Sequence, residues 1–264
     1  MEQDMSLFDL SGKVAVITGS SKGIGRAIAE RMAEHGAKVV VSSRKADACE
    51  AVAEGIRAKG GEAFVQPCHV GKKEELQNLV DATNRHWGQI DILVCNAAVN
   101  PYFGPSLGVT DEVYDRVMNT NVKSNFWLCN MVLPKMAERR DGVVIIVSSI
   151  AGVQGSDRLG LYALSKAADM QLTRNIAVEW GPHNIRANCL APGVIKTDFS
   201  RALWDNPNSA SLQATKQSPL MRIGTPDEVA GAAVFFACSA GAFITGQTLL
   251  IDGGRSAGRV STPA

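Results

Sequence analysis

No two of the six cysteines (Cys49, Cys68, Cys95, Cys129, Cys189, Cys238) form a C-x-x-C pair, and only four histidines accompany them. A zinc site needs ligands clustered at short spacings, and a disulfide framework needs dense cysteines, so neither is expected and no metal site is assigned. Four of the six lie within or at the ends of apolar segments, as small, reduced core residues do. Charge imbalance is also missing: 27 Lys and Arg face 26 Asp and Glu, a formal net charge of +1. With no basic run interleaved with aromatics, this argues against nucleic acid or an anionic membrane as a partner. Long apolar runs are absent too. "GVVIIVSSIAG" is too short to span a bilayer and fits a buried strand. The segment "MEQDMSLFDLSGK" is acidic without an apolar centre, and "GRVSTPA" carries no peroxisomal or ER tripeptide, so a cytoplasmic protein is expected.

What is present is alternation. Short β-branched runs ("KVAVIT", "AKVVVSS", "EAFVQPCHV", "IDILVCN", "GVVIIVSS", "IRANCLAP", "QTLLID") are separated by helical patterns such as "GIGRAIAERMAEHG" and "KKEELQNLVDATNRHWG". The runs lack polar alternation, which suits a parallel sheet buried on both faces. Right-handed β-α-β crossovers then predict an α/β, doubly wound (Rossmann-type) sheet of seven parallel strands in a single domain, with helices on both faces. The domain is expected over residues 10–254, between tails at 1–9 and 255–264. Residues 192–226 are too long for a simple connection. Phe199, Leu203 and Trp204 at helical spacing predict a small amphipathic lid there.

Gly19, Gly23 and Gly25 lie between the first strand and the first helix. Glycine accepts unusual backbone angles and lets a phosphate approach the amides at a helix N-terminus. The spacing G-x-x-x-G-x-G differs from the commoner G-x-G-x-x-G, but its place between strand and helix marks a dinucleotide site. The second strand ends "VVVSSRKAD". NAD sites carry an acid there for the ribose 2′-hydroxyl; here Ser42 and Ser43 stand in its place and Arg44 follows. With Lys22 directly before Gly23, two cations are available to a 2′-phosphate, and NADP(H) is the expected cofactor.

Ser149 closes an apolar strand, and Tyr162 and Lys166 follow four residues apart, one helical turn. Y-x-x-x-K alone is expected by chance about 0.14 times in this composition, so context carries the reading. Ligands of doubly wound sheets bind beyond the carboxyl ends of strands, where all three can converge. Carbonyl reduction needs a hydride and a proton for the developing alkoxide. A phenol near pKa 10 is a weak acid for neutral pH, and a neighbouring ammonium stabilises its phenolate. Ser149 would hydrogen-bond the substrate oxygen.

On "TGSSKGIG", "NAA", "NTNVK", the serine thirteen residues before "YALSK", and "APGVIKT", the chain resembles the short-chain dehydrogenase/reductase family from about Leu10 to Gly254. The resemblance implies a catalytic set of Asn121, Ser149, Tyr162 and Lys166, with Asn121 holding a water that links Lys166 to solvent. It implies that Lys166 also binds the nicotinamide ribose. Cofactor contacts are implied for Gly19, Ser21, Lys22, Gly23, Ile24, Gly25, Ser43, Arg44, His69, Val70, Asn96, Ala97 and Tyr162, and for Pro192, Gly193, Ile195 and Thr197 beside the carboxamide. "VVSSRK", "CHVGK", "NAAVNP", "NCLAPGVIKT" and "FSRALW" are similar to the NADPH-dependent carbonyl/retinol reductases within that family. Two departures stand out. Ala98 replaces a usual glycine. His69 replaces an aspartate at the adenine edge and is expected to cap a strand while Val70 offers its amide.

The substrate pocket is expected from Tyr102 or Phe103, Val153, Leu159, Val194, Leu203 and Trp204, which suits an apolar or aromatic ketone, aldehyde or dicarbonyl. Three other functions use much of the same machinery: a 3-oxoacyl carrier-protein reductase, an NAD-dependent alcohol, sugar or steroid dehydrogenase, and a dinucleotide-binding regulator without turnover. The first wants a basic surface for its carrier, Ser43 and Arg44 argue against the second, and the third need not keep all four catalytic residues. The resemblance also implies a homotetramer built through the helices that carry Asn121 and Tyr162.

Overall fold

The computed structural model describes residues 7–206, 208–216 and 218–260. Its centre is a seven-stranded parallel sheet in the order β3-β2-β1-β4-β5-β6-β7. The strands are β1 (Val14–Thr18), β2 (Lys38–Ser42), β3 (Ala63–Val65), β4 (Ile92–Cys95), β5 (Gly142–Val147), β6 (Ile185–Pro192) and β7 (Thr248–Ile251). Strand order reverses between β1 and β4, which opens a crevice at the carboxyl edge where the glycine loop begins. Val16 pairs with Val40 on one side and Leu93 on the other. All the residues of β1, β4 and β5 are buried, which explains their unbroken apolar runs.

Alternate strand residues feed two cores. Ala15, Ile17, Val39, Val41, Ile145 and Val147 face α1 (Gly23–Glu34), α2 (Ala46–Ala58) and the terminal helix Pro226–Ala237. Val16, Val40, Leu93, Cys95, Val144 and Ile146 face α3 (Lys73–Trp87) and the long helices of the other layer. All six cysteines are buried free thiols; Cys49, Cys95 and Cys129 lie in strands or long helices of these two cores, and Cys189 of β6 packs with Met170 and Ala191 in a small third cluster. Leu10 is buried and its N–H bonds His35 O; residues 1–6 and 261–264 of the two expected tails lie outside the described residues.

Three local features depart from a simple reading. The third strand ends at Val65 because Pro67 has no N–H, yet Gln66 and Cys68 still donate to Val41 O and Ser43 O. The pattern "EVYDRVMNTNVKSNFWLCNMVLPKMAER" is not one regular helix. It is α4 (Asp111–Met118), a π-turn at Asn119–Lys123, and α5 (Ser124–Arg139). Such a turn inserts a residue and re-aims side chains, here carrying Asn121 inward. After α6 (Gly160–Trp180), the lid forms two short helices, α7 (Arg201–Trp204) and α8 (Ala210–Lys216), before α9 (Pro226–Ala237).

Candidate active site

The glycine loop is held open by its neighbours. Gly19 and Gly23 adopt φ of +68° and +58°, angles that side chains resist. Asn96, just past β4, donates through Nδ2 to Thr18 O at 2.9 Å and Gly19 O at 3.2 Å. The N–H groups of Asn96 and Ala97 both reach Thr18 Oγ1. A Cβ on Gly25 would lie 2.4 Å from Asn96 Nδ2 and 2.5 Å from Gly19 O, so only glycine lets this clamp close. Asn96 therefore grips the loop, its amide being spent there.

The first turn of α1 has no acidic residue and its N-cap, Lys22, makes no side-chain capping bond. Its N–H groups, Ile24 among them, are left for an anion. Thr197 crosses this turn: its Cγ2 is 3.3 Å from where a Gly23 Cβ would sit. Ser42 is buried and its hydroxyl has no hydrogen-bond partner among the described residues, which leaves Ser43 and Arg44 at the end of β2 to meet a ligand. Ser43 Oγ lies 3.1 Å from Cys49 Sγ; Arg44 is exposed and pairs with no carboxylate among the described residues. Lys22 reaches Asp198 at 3.8 Å, an exposed pair of little strength. The cradle and the uncapped turn fit a nicotinamide dinucleotide. His69 closes a turn by accepting Gly71 N–H on Nδ1 at 3.2 Å, while its own N–H bonds Glu75. It caps the turn at residues 69–71 and not a strand, since β3 ends at Val65. Ile195 has its side chain in the core, which leaves only its backbone for a cofactor.

Ser149 lies two residues past β5, with Oγ accepting Ala151 N–H at 3.1 Å and its hydroxyl lowering the Tyr162 phenol's pKa. Lys166, one turn on, is 2% exposed, with Nζ 5.8 Å from the Tyr162 ring. Helix α6 is stitched to the strand end: Ser148 Oγ donates to Lys166 O at 2.7 Å and Lys166 Nζ to Val147 O at 2.9 Å. Gly152 makes this fit possible, since a Cβ there would press within 2.8 Å of the helix backbone at Ala167 N.

The electrostatics differ from the simple expectation of a phenol lowered by lysine. Burial pushes Tyr162 above its ordinary value; Lys166 and the Ser149 hydroxyl pull against it, but Asp169 adds to the rise. Burial also works against the Lys166 ammonium, yet Asp169 and Tyr162 hold it above its usual value. Asn121 is fully buried and makes no direct bond to Lys166. Its Oδ1 accepts Val99 N–H at 2.8 Å, and its Nδ2 donates to Val99 O and Ser165 Oγ. Asp169 and Asn125 thus belong to the site although neither is read from the motifs. The available signal is an acid three residues after Lys166 within an apolar helix, and an amide four after Asn121.

Two walls flank this centre. Gly104 N–H donates to Arg158 O, and Arg158 lies over the Phe103 ring at 5.8 Å, joining the loops that carry Tyr102 and Phe103 to those of Val153 and Leu159. Tyr102 turns back on its own loop, its hydroxyl on Pro105 O at 2.9 Å, so the structure does not bring it to Tyr162. Phe103 and Val153 are exposed at the rim, and Leu159 and Val194 are half-buried. From the lid, Phe199 reaches Tyr162 at 6.3 Å between centroids, whereas Trp204 faces Ser200 and Lys196. Phe199 lies before α7 and not within it; the sequence pattern assigns it to the lid with Leu203 and Trp204 but not to the substrate pocket.

A glycine cradle on a switch-point crevice, with serine, tyrosine and lysine gathered beyond β5, defines a nicotinamide-dinucleotide oxidoreductase. Residues 19–256 match the family model described as enoyl-(acyl carrier protein) reductase. The chain is 44% identical over 246 residues to dehydrogenase/reductase SDR family member 4 of Bos taurus, covering 93% of this chain and 88% of that protein. It is 41% identical to the mitochondrial SDR family member 2 of Homo sapiens, over 92% and 86% of the two chains. Among solved structures, a 7α-hydroxysteroid dehydrogenase complexed with NADH and 7-oxo glycochenodeoxycholic acid superposes with a TM-score of 0.88 at 36% identity, covering 94% and 95%. A gluconate 5-dehydrogenase from Burkholderia cenocepacia with NADP and tartrate gives 0.90 at 32%, covering 96% and 98%. The chain belongs to the short-chain dehydrogenase/reductase family.

Proposed function

We propose that the protein reduces an apolar ketone, aldehyde or dicarbonyl to the alcohol, using NADPH. The observation that carries this is the convergence of Ser149, Tyr162 and Lys166 beyond β5 beneath the Phe199 side chain. NADPH, when bound, supplies the hydride to the carbonyl carbon. Ser149 donates a hydrogen bond to the carbonyl oxygen as negative charge grows there, and Tyr162 delivers the proton that makes the hydroxyl. A phenol held above its ordinary value is protonated at neutral pH, the form that reduction consumes. Lys166 opposes the charge left on the phenolate, and Asn121 keeps the Val99 loop and α6 in register around it.

Arg44, exposed with no carboxylate partner among the described residues, supports NADP(H) over NAD(H). Phe103, Val153 and Phe199 at the rim support an apolar substrate. A homotetramer is part of the same reading: α5 and α6 expose Phe126, Leu164 and Val178, and edge strand β7 exposes Leu249 and Leu250. Sedimentation of the purified chain reads that directly. The test of function is NADPH and NADH oxidation across diketones, aromatic ketones, quinones, retinal and short 3-oxoacyl thioesters. Tyr162→Phe should lower kcat by about 10²–10⁴-fold. Equal turnover by Tyr162→Phe would sink the acid assignment, and preference for NADH would sink the cofactor.

A further inference from the structure

Lys166 is 2% exposed, and Asp169, one turn further along α6, is fully buried. The ammonium donates to Val147 O at 2.9 Å and to Asp169 Oδ2 at 2.9 Å. Asp169 Oδ1 accepts from Asn125 Nδ2 at 3.0 Å, and the same amide donates to the Asn121 carbonyl at 2.7 Å. A chain of side chains therefore runs from the π-turn to the lysine. An ammonium has three donors, so two are committed in fixed directions and one remains for the crevice.

The surroundings leave Asp169 without rivals. Tyr162 faces the pair from α6, Cys189 from β6, Cys95 from β4 and, next to Cys95, Cys129 from α5. Burial pushes the Cys189 thiol up to about 12, and its bond with Cys129 and burial hold Cys95 well above the usual thiol range. At the end of β5, Val147, Ser148 and Ser149 offer only neutral polar atoms. The ion pair at 2.9 Å is thus what offsets the burial of a cation that would otherwise shed its proton.

We propose that Asp169, held in turn by Asn125, is the positioning residue of the catalytic lysine: it aims the ammonium and keeps it charged beside Tyr162. It acts through Lys166 and touches no substrate. The inference rests on the reading of Ser149, Tyr162 and Lys166 as the reductase centre. Reduction needs Tyr162 protonated and Lys166 charged, and a nearby carboxylate makes either proton harder to lose.

The test is a double-mutant cycle on the full chain without cofactor: Asp169→Asn, Lys166→Met and the pair, read as Tm. Asp169→Asn leaves a buried ammonium unpaired and should lower Tm by about 10 °C. Adding Lys166→Met should recover most of that loss. The gap between Asp169→Asn and the parent should also narrow from pH 7 to pH 10. Without its partner, Lys166 has a folded pKa below its unfolded one, so stability relative to the parent rises as the proton leaves. If Asp169→Asn alone does not fold, a folded double variant still decides for the proposal. Additive losses, or two unfolded variants, overturn it in favour of a packing role.

The pH profile of NADPH-driven reduction gives a second readout. Its alkaline limb should move down by about one unit in Asp169→Asn and return with Asp169→Glu. A superimposable profile overturns the charge-setting role. If the parent reduces no carbonyl, the function proposed above fails while the stability cycle still judges Asp169.

Discussion

Gly25→Ala tests whether the glycine loop is built as a clamp. The new methyl would sit 2.4 Å from Asn96 Nδ2, 2.5 Å from Gly19 O and 2.9 Å from Gly19 C. Two of those atoms are backbone, so the loop or the side chain must shift. Forcing a methyl into a packed site costs about 1–3 kcal/mol. Displacing Asn96 removes its bonds to Thr18 O and Gly19 O, each worth about 1 kcal/mol net. Alanine's better helix propensity returns at most about 1 kcal/mol at this position in α1. The balance is a loss of about 3 kcal/mol, a Tm drop of about 8 °C for a chain of this size. Gly231→Ala is the matched control: it lies inside α9 with nothing within 4 Å of its absent Cβ. It should gain about 0.5–1 kcal/mol from propensity alone. Thermal melts of both variants, with NADPH titrations by fluorescence, make the comparison. NADPH affinity should fall at least tenfold in Gly25→Ala and hold in Gly231→Ala. Parental Tm and affinity in Gly25→Ala would falsify the clamp.

Two further outcomes follow from the charges. Arg44→Ala should weaken NADPH roughly 10–100-fold, the loss of a charge-assisted fork, while NADH affinity stays level; parallel titrations read the ratio. Glu228 is drawn down to about 2 by Arg222, at 2.5 and 3.0 Å, and by the Thr225 N–H that completes the α9 capping box. Its folded pKa lies below the ordinary 4.5, so its stabilisation is present above that pH and lost as pH falls towards 2. Glu228→Gln should lower Tm by about 2 °C at pH 7, with the gap closing between pH 4.5 and pH 2. A gap that is constant with pH would assign the effect to packing.

The sequence by itself determined the layered α/β sheet, because strands buried on both faces must be apolar throughout and the helices between them half apolar. It also determined the contiguous motifs. Gly19, Gly23 and Gly25 share one turn, and Tyr162 and Lys166 share one helical face, so local geometry alone makes them neighbours. Only the tertiary structure decided the rest. Asn96 grips Gly19 from another strand, Phe199 reaches Tyr162 across the lid, and the π-turn brings Asn121 onto Val99. The net sign at the phenol was likewise hidden. It depends on how deeply α6 is buried and on an aspartate whose charge matters only once water is excluded. Such contacts join residues far apart in the chain, and their strength is set by burial, which no local spacing records.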